Sequence, residues 1–230
     1  MSDPPKIIVI IPALNEERAI GKVIDEIPNS VREVIVADNN STDRTAEIAK
    51  AHGATTILQP EPGYGNACLK AMALVSQKQQ KPDIIVFLDG DHSDFPEELP
   101  LLINPIMEEG MEMVIGSRTL GDSESGSLTP QQVFGNWLAT FLLNLIYRVR
   151  FTDLGPFRAI RYDSLIKLEM KDRNYGWTIE MQIKAAKQGL KTSEVPISYR
   201  KRIGTSKVSG TLKGSVMAGC KIIKTLFTYI

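Results

Sequence analysis

Five short apolar runs alternate with segments of helical period along the first half of the chain, and no other feature constrains the fold as much. The runs are KIIVIIPA, EVIVAD, ATTILQ, DIIVFLD and EMVIGSR. Strands separated by helices of this length build βαβ units, and so an α/β layer fold around a mostly parallel sheet flanked by helices. DIIVFLD is apolar without alternation, the pattern of a strand covered on both faces. A first helix is expected from about Glu16 to Ile27, with Asn15 as its N-cap. Ser41 is the expected cap of the helix TDRTAEIAKAHG, which Gly53 ends. GYGNACLKAMALVSQ opens with glycines and continues as helix, and PEELPLLINPIMEEG is helical with a proline interruption.

In such sheets the functional groups gather at the carboxyl ends of the strands. Asp38, the pair Asp89 and Asp91, and Arg118 all fall there. Residues i and i+2 of an extended chain point the same way. Asp89 and Asp91 are therefore expected to face one site, while Gly90 lets another group approach the backbone. Two carboxylates held together repel unless a cation lies between them. Hard oxygen ligands suit Mg²⁺ or Mn²⁺, ions that keep water and take up substrate phosphates. In isolation the tripeptide reads equally as a solvated turn or a helix cap.

The chain carries 27 basic and 27 acidic side chains, so net charge makes no case for nucleic acid. The distribution says more. After Glu194 there is no acidic residue, but there are seven basic ones: Arg200, Lys201, Arg202, Lys207, Lys213, Lys221 and Lys224. A basic end on a neutral-to-acidic body suggests an anionic partner there. Cys68 and Cys220 form neither a disulfide framework nor a metal-ligand spacing. MSDPPK lacks the cationic start of a signal peptide, and no stretch reaches the roughly 18 apolar residues of a membrane span. The expectation is a cytoplasmic protein, soluble or peripheral at the membrane face.

Residues 119–130, TLGDSESGSLTP, are rich in glycine and serine and are expected to form a mobile loop. Beyond them Val133, Phe134, Trp137, Leu138, Phe141, Leu142, Leu145, Ile146 and Val149 make a wide apolar stripe at helical spacing. On periodicity alone a core or dimer helix is favoured over a helix lying at a lipid surface. The C-terminal stretch poses the same choice, with Leu212, Val216, Ile223, Phe227 and Ile230 on one face and lysines between.

Taken in order, PALNE after the first run, ADNNSTDRTAEIA after the second, the glycine turn GYGNACLKA and the DGD element resemble the family 2 glycosyltransferases. Their fold is the nucleotide-sugar-binding GT-A fold, and the resemblance covers nearly the whole chain. It implies one domain over 1–230, with a nucleotide-sugar half in 1–118, an acceptor half in 119–210 and an amphipathic C-terminal helix in 211–230. It implies that Pro12, Ala13, Leu14, Asn15 and Glu16 line the nucleotide pocket. Asp38 would accept a hydrogen bond from the base, and Gly63, Tyr64, Gly65 and Asn66 would shape the wall. Asp89, Gly90 and Asp91 match the family's Asp-x-Asp element, with both carboxylates on Mg²⁺ or Mn²⁺ and Asp91 the more direct ligand. The implied donor is a uridine or guanosine diphosphate sugar, uridine favoured. Arg200, Arg202 and Lys207 are candidates to stabilise the departing diphosphate. A dinucleotide fingerprint fails, because Cys68 stands where its third glycine belongs and the turn does not follow the first strand.

The second half resembles the dolichyl-phosphate mannosyltransferase and polyprenyl-phosphate glucosyltransferase branch, through VIGSR, FTDLGPFRAI, GWTIE and YRKRIGTSK. The acceptor there is a lipid phosphate, an anion at neutral pH that needs no strong base. The branch implies Arg118, Arg200 and Arg202 around acceptor phosphate, where the arginine fork suits paired oxygens. It implies Asp153 as acceptor-positioning group or base, and Trp177 and Glu180 near the donor sugar. It also turns the 133–149 stripe into an interface helix, which implies peripheral membrane contact. Three positions depart from the branch: Ser93 where glutamine is common, Gly155-Pro156 where Ser-Gly is usual, and Gln131-Gln132 where lipid-phosphate enzymes often carry arginine. The implied reaction is metal-dependent, inverting transfer of a hexose to a polyprenyl phosphate. A soluble phosphorylated acceptor, a nucleotide-sugar-binding protein without catalysis, and a homodimer all stay open. A nucleotidyltransferase would need a Gly-rich basic loop where PALNEERAI stands.

Overall fold

Residues Ile7 to Ile11 are all β-branched, and β1 (Ile7–Ala13) is buried along its whole length. Side chains that crowd a helix but pack well on a pleated surface hold this segment extended at the centre of the sheet. The computed structural model describes residues 4–204, 219, 221–222 and 224–229. β2 (Glu33–Asp38) and β4 (Ile84–Phe87) flank β1 in parallel, and β3 (Thr55–Leu58) lies parallel beyond β2. β6 (Arg158–Arg161) runs antiparallel between β4 and β5 (Met113–Ser117), and β7 (Thr192–Pro196) pairs parallel with β5. The seven-stranded order is β3-β2-β1-β4-β6-β5-β7. The chain leaves β1 towards β2 on one side and later returns to β4 on the other. That reversal opens a crevice at the carboxyl ends of β1, β2 and β4.

Alternation along the strands divides the core into two layers. Ile8 and Ile10 pack with residues of α3 (Tyr64–Gln77), α5 (Pro130–Tyr147) and α7 (Trp177–Lys187). Ile7, Val9 and Ile11 pack with α1 (Ile20–Asp25), Ala49 of α2 (Thr45–Ala51) and α4 (Leu99–Glu108). A short α6 (Tyr162–Lys167) follows β6. Cys68 is buried in the first layer; Cys220 lies outside the described residues.

Two expected caps are absent for one shared reason. α1 begins at Ile20 rather than near Glu16, and α2 begins at Thr45. Asn15 has a φ of 54° and donates its N–H to Ser41 Oγ at 2.9 Å. Its side chain accepts the Thr42 N–H at 2.8 Å, and the Glu16 N–H goes to Thr45 Oγ1 at 2.8 Å. The 15–17 and 41–45 segments therefore satisfy each other's backbone, and this clamp takes the place of separate helix caps.

The stripe on α5 is split. Thr129 and Gln132 form a reciprocal capping box that starts the helix, with Pro130 in its first turn. Ala139 and Leu143 are buried, with Leu142, Ile146 and Val149 packed against the same core. Val133, Phe134, Trp137, Phe141 and Leu145 instead form an outer face, each more than half exposed. No described helix is long and apolar enough to cross a membrane. Of the C-terminal stretch, Leu226 is fully buried and Ile222 and Tyr229 pack on the first layer. Its described residues thus lie on the domain.

Candidate active site

A cavity of about 240 Å³ opens at the crevice. Pro12, Ala13, Leu14 and Glu16 reach it from the end of β1, Gly63 from the start of α3, and Asp89, Gly90 and Asp91 from the end of β4. Arg202 closes it from the loop after β7. These nine sequence-derived candidates converge although they span 190 positions of sequence.

The electrostatics centre on the two aspartates. Asp91 is 7% exposed; its Oδ1 accepts the Ser93 N–H at 3.0 Å and the Ser93 hydroxyl at 2.5 Å. Oδ2 lies 3.1 Å from Arg202 Nη1, and Arg202 Nη2 reaches Glu16 Oε1 at 2.7 Å. Asp89 accepts the Tyr64 hydroxyl at 3.1 Å. Burial, and then the charge of Asp91, push the Asp89 carboxyl up to about 7. Asp94, 2% exposed with both carboxyl oxygens unpartnered, is pushed well up by burial and by those two neighbours.

This donor set fits a hard divalent cation. Both carboxylates face one space, and Arg202 is the cation already drawn to Asp91. Among the described residues no group of three or more His, Cys, Asp and Glu side chains forms a cage. An ion on Asp89 and Asp91 would therefore keep positions for water and phosphate oxygens, which is how Mg²⁺ and Mn²⁺ sit. Arg202 Nε, buried and unpartnered, is a further donor of the kind that suits an anion.

The pH dependence follows in sign. An ion on Asp89 would have to displace its proton, so metal affinity is expected to fall about tenfold per pH unit below 7 and to level off above it. Titrating Mn²⁺ into nucleotide-loaded protein between pH 5.5 and 8.5 checks this. A flat profile would mean that Asp89 takes no part.

Other candidates stand elsewhere. Arg118 and Asp153 form a paired-fork ion pair beside the site, Nε to Oδ2 at 2.8 Å and Nη2 to Oδ1 at 2.6 Å, with the Arg118 N–H also on Oδ2. Arg200 is spent on structure: it bonds Glu26 and the carbonyls of His92 and Asp94, and stacks over Phe95 at 4.2 Å. Asp38 accepts the Ser41 N–H, and Asn66 donates to the Pro62 carbonyl. Neither they nor Asn15 line the cavity. Gly65 is there for close approach, because a Cβ on it would meet the Asp172 carbonyl at 2.0 Å. Trp177 is 1% exposed, edge-on to Phe87 in the core, and Glu180 is fully buried among Lys171, Asp172, Lys184 and Tyr229. Lys207 lies outside the described residues.

The structure also brings in Asn39, Asn174 and Tyr175, which sequence reasoning passed over, together with Tyr64. Asn39 follows Asp38 at the same strand end, and its side chain bonds the Gly63 N–H and the carbonyls of Gln59 and Glu61. Tyr64 sits inside the glycine turn already singled out. Asn174 and Tyr175 carry no local signal.

Fold and site together define an enzyme of the GT-A glycosyltransferase class. The chain belongs to its family 2: the model for Glycosyl transferase family 2 matches residues 8–169. It is 34% identical over 214 residues to an uncharacterized glycosyltransferase of Mycobacterium tuberculosis, covering 92% of this chain and 94% of that one. It is also 34% identical over 223 residues to a dolichyl-phosphate hexose transferase of Haloferax volcanii, covering 94% and 92%. Glucosyl-3-phosphoglycerate synthase from M. tuberculosis was solved with Mn²⁺, uridine diphosphate and glucosyl-3-phosphoglycerate. It matches with a TM-score of 0.75 at 26% identity, over 98% of this chain and 80% of that one.

Proposed function

We propose that this glycosyltransferase moves a hexose, with inversion, from a nucleoside diphosphate sugar to a polyprenyl phosphate at the cytoplasmic membrane face. Uridine is the favoured base. The convergence of Asp89, Asp91 and Arg202 on one cavity carries the donor half of this reading. Asp89 and Asp91 would hold a divalent ion, and the chemistry it would supply there is Lewis-acid stabilisation of the departing diphosphate. Arg202 adds a fixed cation beside it. An oxygen of the acceptor phosphate forms a bond to the anomeric carbon as the bond from that carbon to the diphosphate breaks. The electron pair leaves with the diphosphate and no proton need move. Gly63, Tyr64, Asn174 and Tyr175 enclose the donor and exclude water.

The exposed face of α5 supports the lipid acceptor. Phe134, Trp137 and Phe141 follow one another at 5.8 Å between ring centroids, within the acceptor half. Amphipathic faces of this kind bind a bilayer interface by apolar burial. A second reading, a soluble phosphorylated acceptor, is favoured by the likeness to glucosyl-3-phosphoglycerate synthase.

The test pairs calorimetry with transfer assays. UDP and GDP are titrated with and without Mn²⁺, then radiolabelled UDP-hexoses are offered with polyprenyl phosphate in vesicles or with phosphoglycerate in solution. Mn²⁺-dependent UDP binding and label in the lipid phase are expected. Label in a soluble phosphorylated product supports the second reading, and no nucleotide binding overturns both.

A further inference from the structure

The loop between α6 and α7 supplies Asn174 and Tyr175 to the donor cavity, and four of its backbone N–H groups end on two carboxylates. Glu180 accepts the Lys171 N–H at 2.9 Å and the Asp172 N–H at 2.7 Å. Asp172 Oδ1 accepts the N–H groups of Asn174 at 2.7 Å and Gly176 at 3.1 Å. The loop is also locked to the start of α3, since the Arg173 carbonyl accepts the Asn66 N–H at 3.0 Å. A Cβ on Gly63 would meet that same carbonyl at 2.1 Å. Loop 171–176 and the glycine turn thus form one wall of the cavity.

Both carboxylates are in turn held by the C-terminal helical residues. The Tyr229 hydroxyl donates to Glu180 Oε1 at 2.6 Å, and Lys221 Nζ lies 2.7 Å from Asp172 Oδ2. Thr225 is 5% exposed and stands against Gly176, where an added Cβ would meet its Oγ1 at 2.7 Å. The segment is itself fastened to the body, because Tyr147 donates to the Leu226 carbonyl and Lys187 to the Tyr229 carbonyl.

We infer that Tyr229 and Lys221 are positioning residues for the donor: the C-terminal segment latches loop 171–176 in the shape that completes the nucleotide-sugar pocket. The inference rests on the donor-site reading above. Neither residue touches the cavity. Each fixes a carboxylate, the carboxylates fix the loop backbone, and the loop presents Asn174 and Tyr175. Preorganising a wall in this way raises affinity by lowering the cost of ordering it on binding.

Tyr229→Phe keeps the ring and removes the hydroxyl, while Lys221→Gln acts at a side chain that is 40% exposed and is safe for folding. The experiment measures UDP affinity in saturating Mn²⁺ and amide hydrogen exchange for both variants and the double variant. Expected are faster exchange confined to residues 171–176, recovery of protection when UDP is added, and UDP binding about tenfold weaker in the double variant, as for loss of about 1.4 kcal/mol. Exchange in β1 and β2 stays as in the parent, which a general loss of stability would not allow. Unchanged loop exchange, or loop loosening with unchanged UDP affinity, overturns the inference. If the parent itself binds no nucleotide, the donor reading fails. The exchange result then decides on its own whether the segment holds the loop.

Discussion

Asp91→Ala abolishes Mn²⁺-dependent binding of UDP, weakening it by at least the order of a hundredfold that even loss of an outer-shell partner can cost a metal site. Asp91 is the carboxylate whose geometry is fixed from both sides. Ser93 holds Oδ1 through its N–H and hydroxyl, which leaves Oδ2 turned to the cavity and to Arg202. Without the carboxylate, Asp89 alone faces the ion; burial still holds its pKa up, although the push from the Asp91 charge is gone. Arg202 keeps Glu16 as a partner at 2.7 Å, so the basic side of the cavity survives. The variant should therefore retain the weak, metal-independent part of nucleotide binding and lose the rest. Calorimetric titration with and without Mn²⁺ separates the two parts. Asp91→Asn, which can still accept from Ser93, controls for local folding. Undiminished Mn²⁺-dependent binding in both variants would sink the assignment of the DGD element as the metal site.

What the sequence revealed follows from how local each cause is. β1, β2, β4 and β5 were legible because runs such as IIVII and IIVF state their burial in their own residues. β6 was not, because two of its four residues are arginines. Their charge is satisfied by carbonyls, several of them distant: Arg161 reaches those of Ile106 and Met111, and Arg158 that of Thr178 besides those of Leu154 and Gly155. Burial pulls the Arg158 guanidinium down to about 10, a cost that no neighbouring residue in sequence announces. The site divides in the same way. Glu16, Asp89 and Asp91 sit where a strand ends, so the α/β pattern locates them. Asn174 and Tyr175 enter from a loop whose shape depends on Glu180 and Asp172, and nothing in KDRNYGW states that dependence. Glu180 itself shows the limit of a family segment. It is close in sequence to the loop that lines the pocket, yet its own carboxylate is consumed beneath it.

Asp153→Ala lowers the stability of the protein by about 3–5 kcal/mol, the cost of removing one partner from a buried ion pair. The Asp153 side chain is 1% exposed and that of Arg118 is 14% exposed. Burial alone would pull the Arg118 guanidinium down; the charge of Asp153 and its hydrogen bonds outweigh this and hold it above the ordinary arginine range. Truncating Asp153 strands that cation next to the Tyr199 ring, with its fork unpaired. Glu194 offers no replacement, being already committed to the N–H groups of Thr152 and Asp153, and Asp94 remains only as an electrostatic neighbour of the fork. Urea unfolding followed by circular dichroism measures the loss. Arg118→Met combined with Asp153→Leu should be more stable than Asp153→Ala, because removing both charges leaves none uncompensated. The same pair tests the chemistry proposed for Asp153. Both carboxyl oxygens are engaged by Arg118, so under the proposed function the carboxylate would aim the guanidinium at acceptor phosphate rather than take a proton. Arg118→Lys, which keeps the charge but loses the fork, should then cost transfer activity about as heavily as Asp153→Asn. If Arg118→Lys stays active while Asp153→Asn is dead, Asp153 acts as a base and the positioning role is wrong.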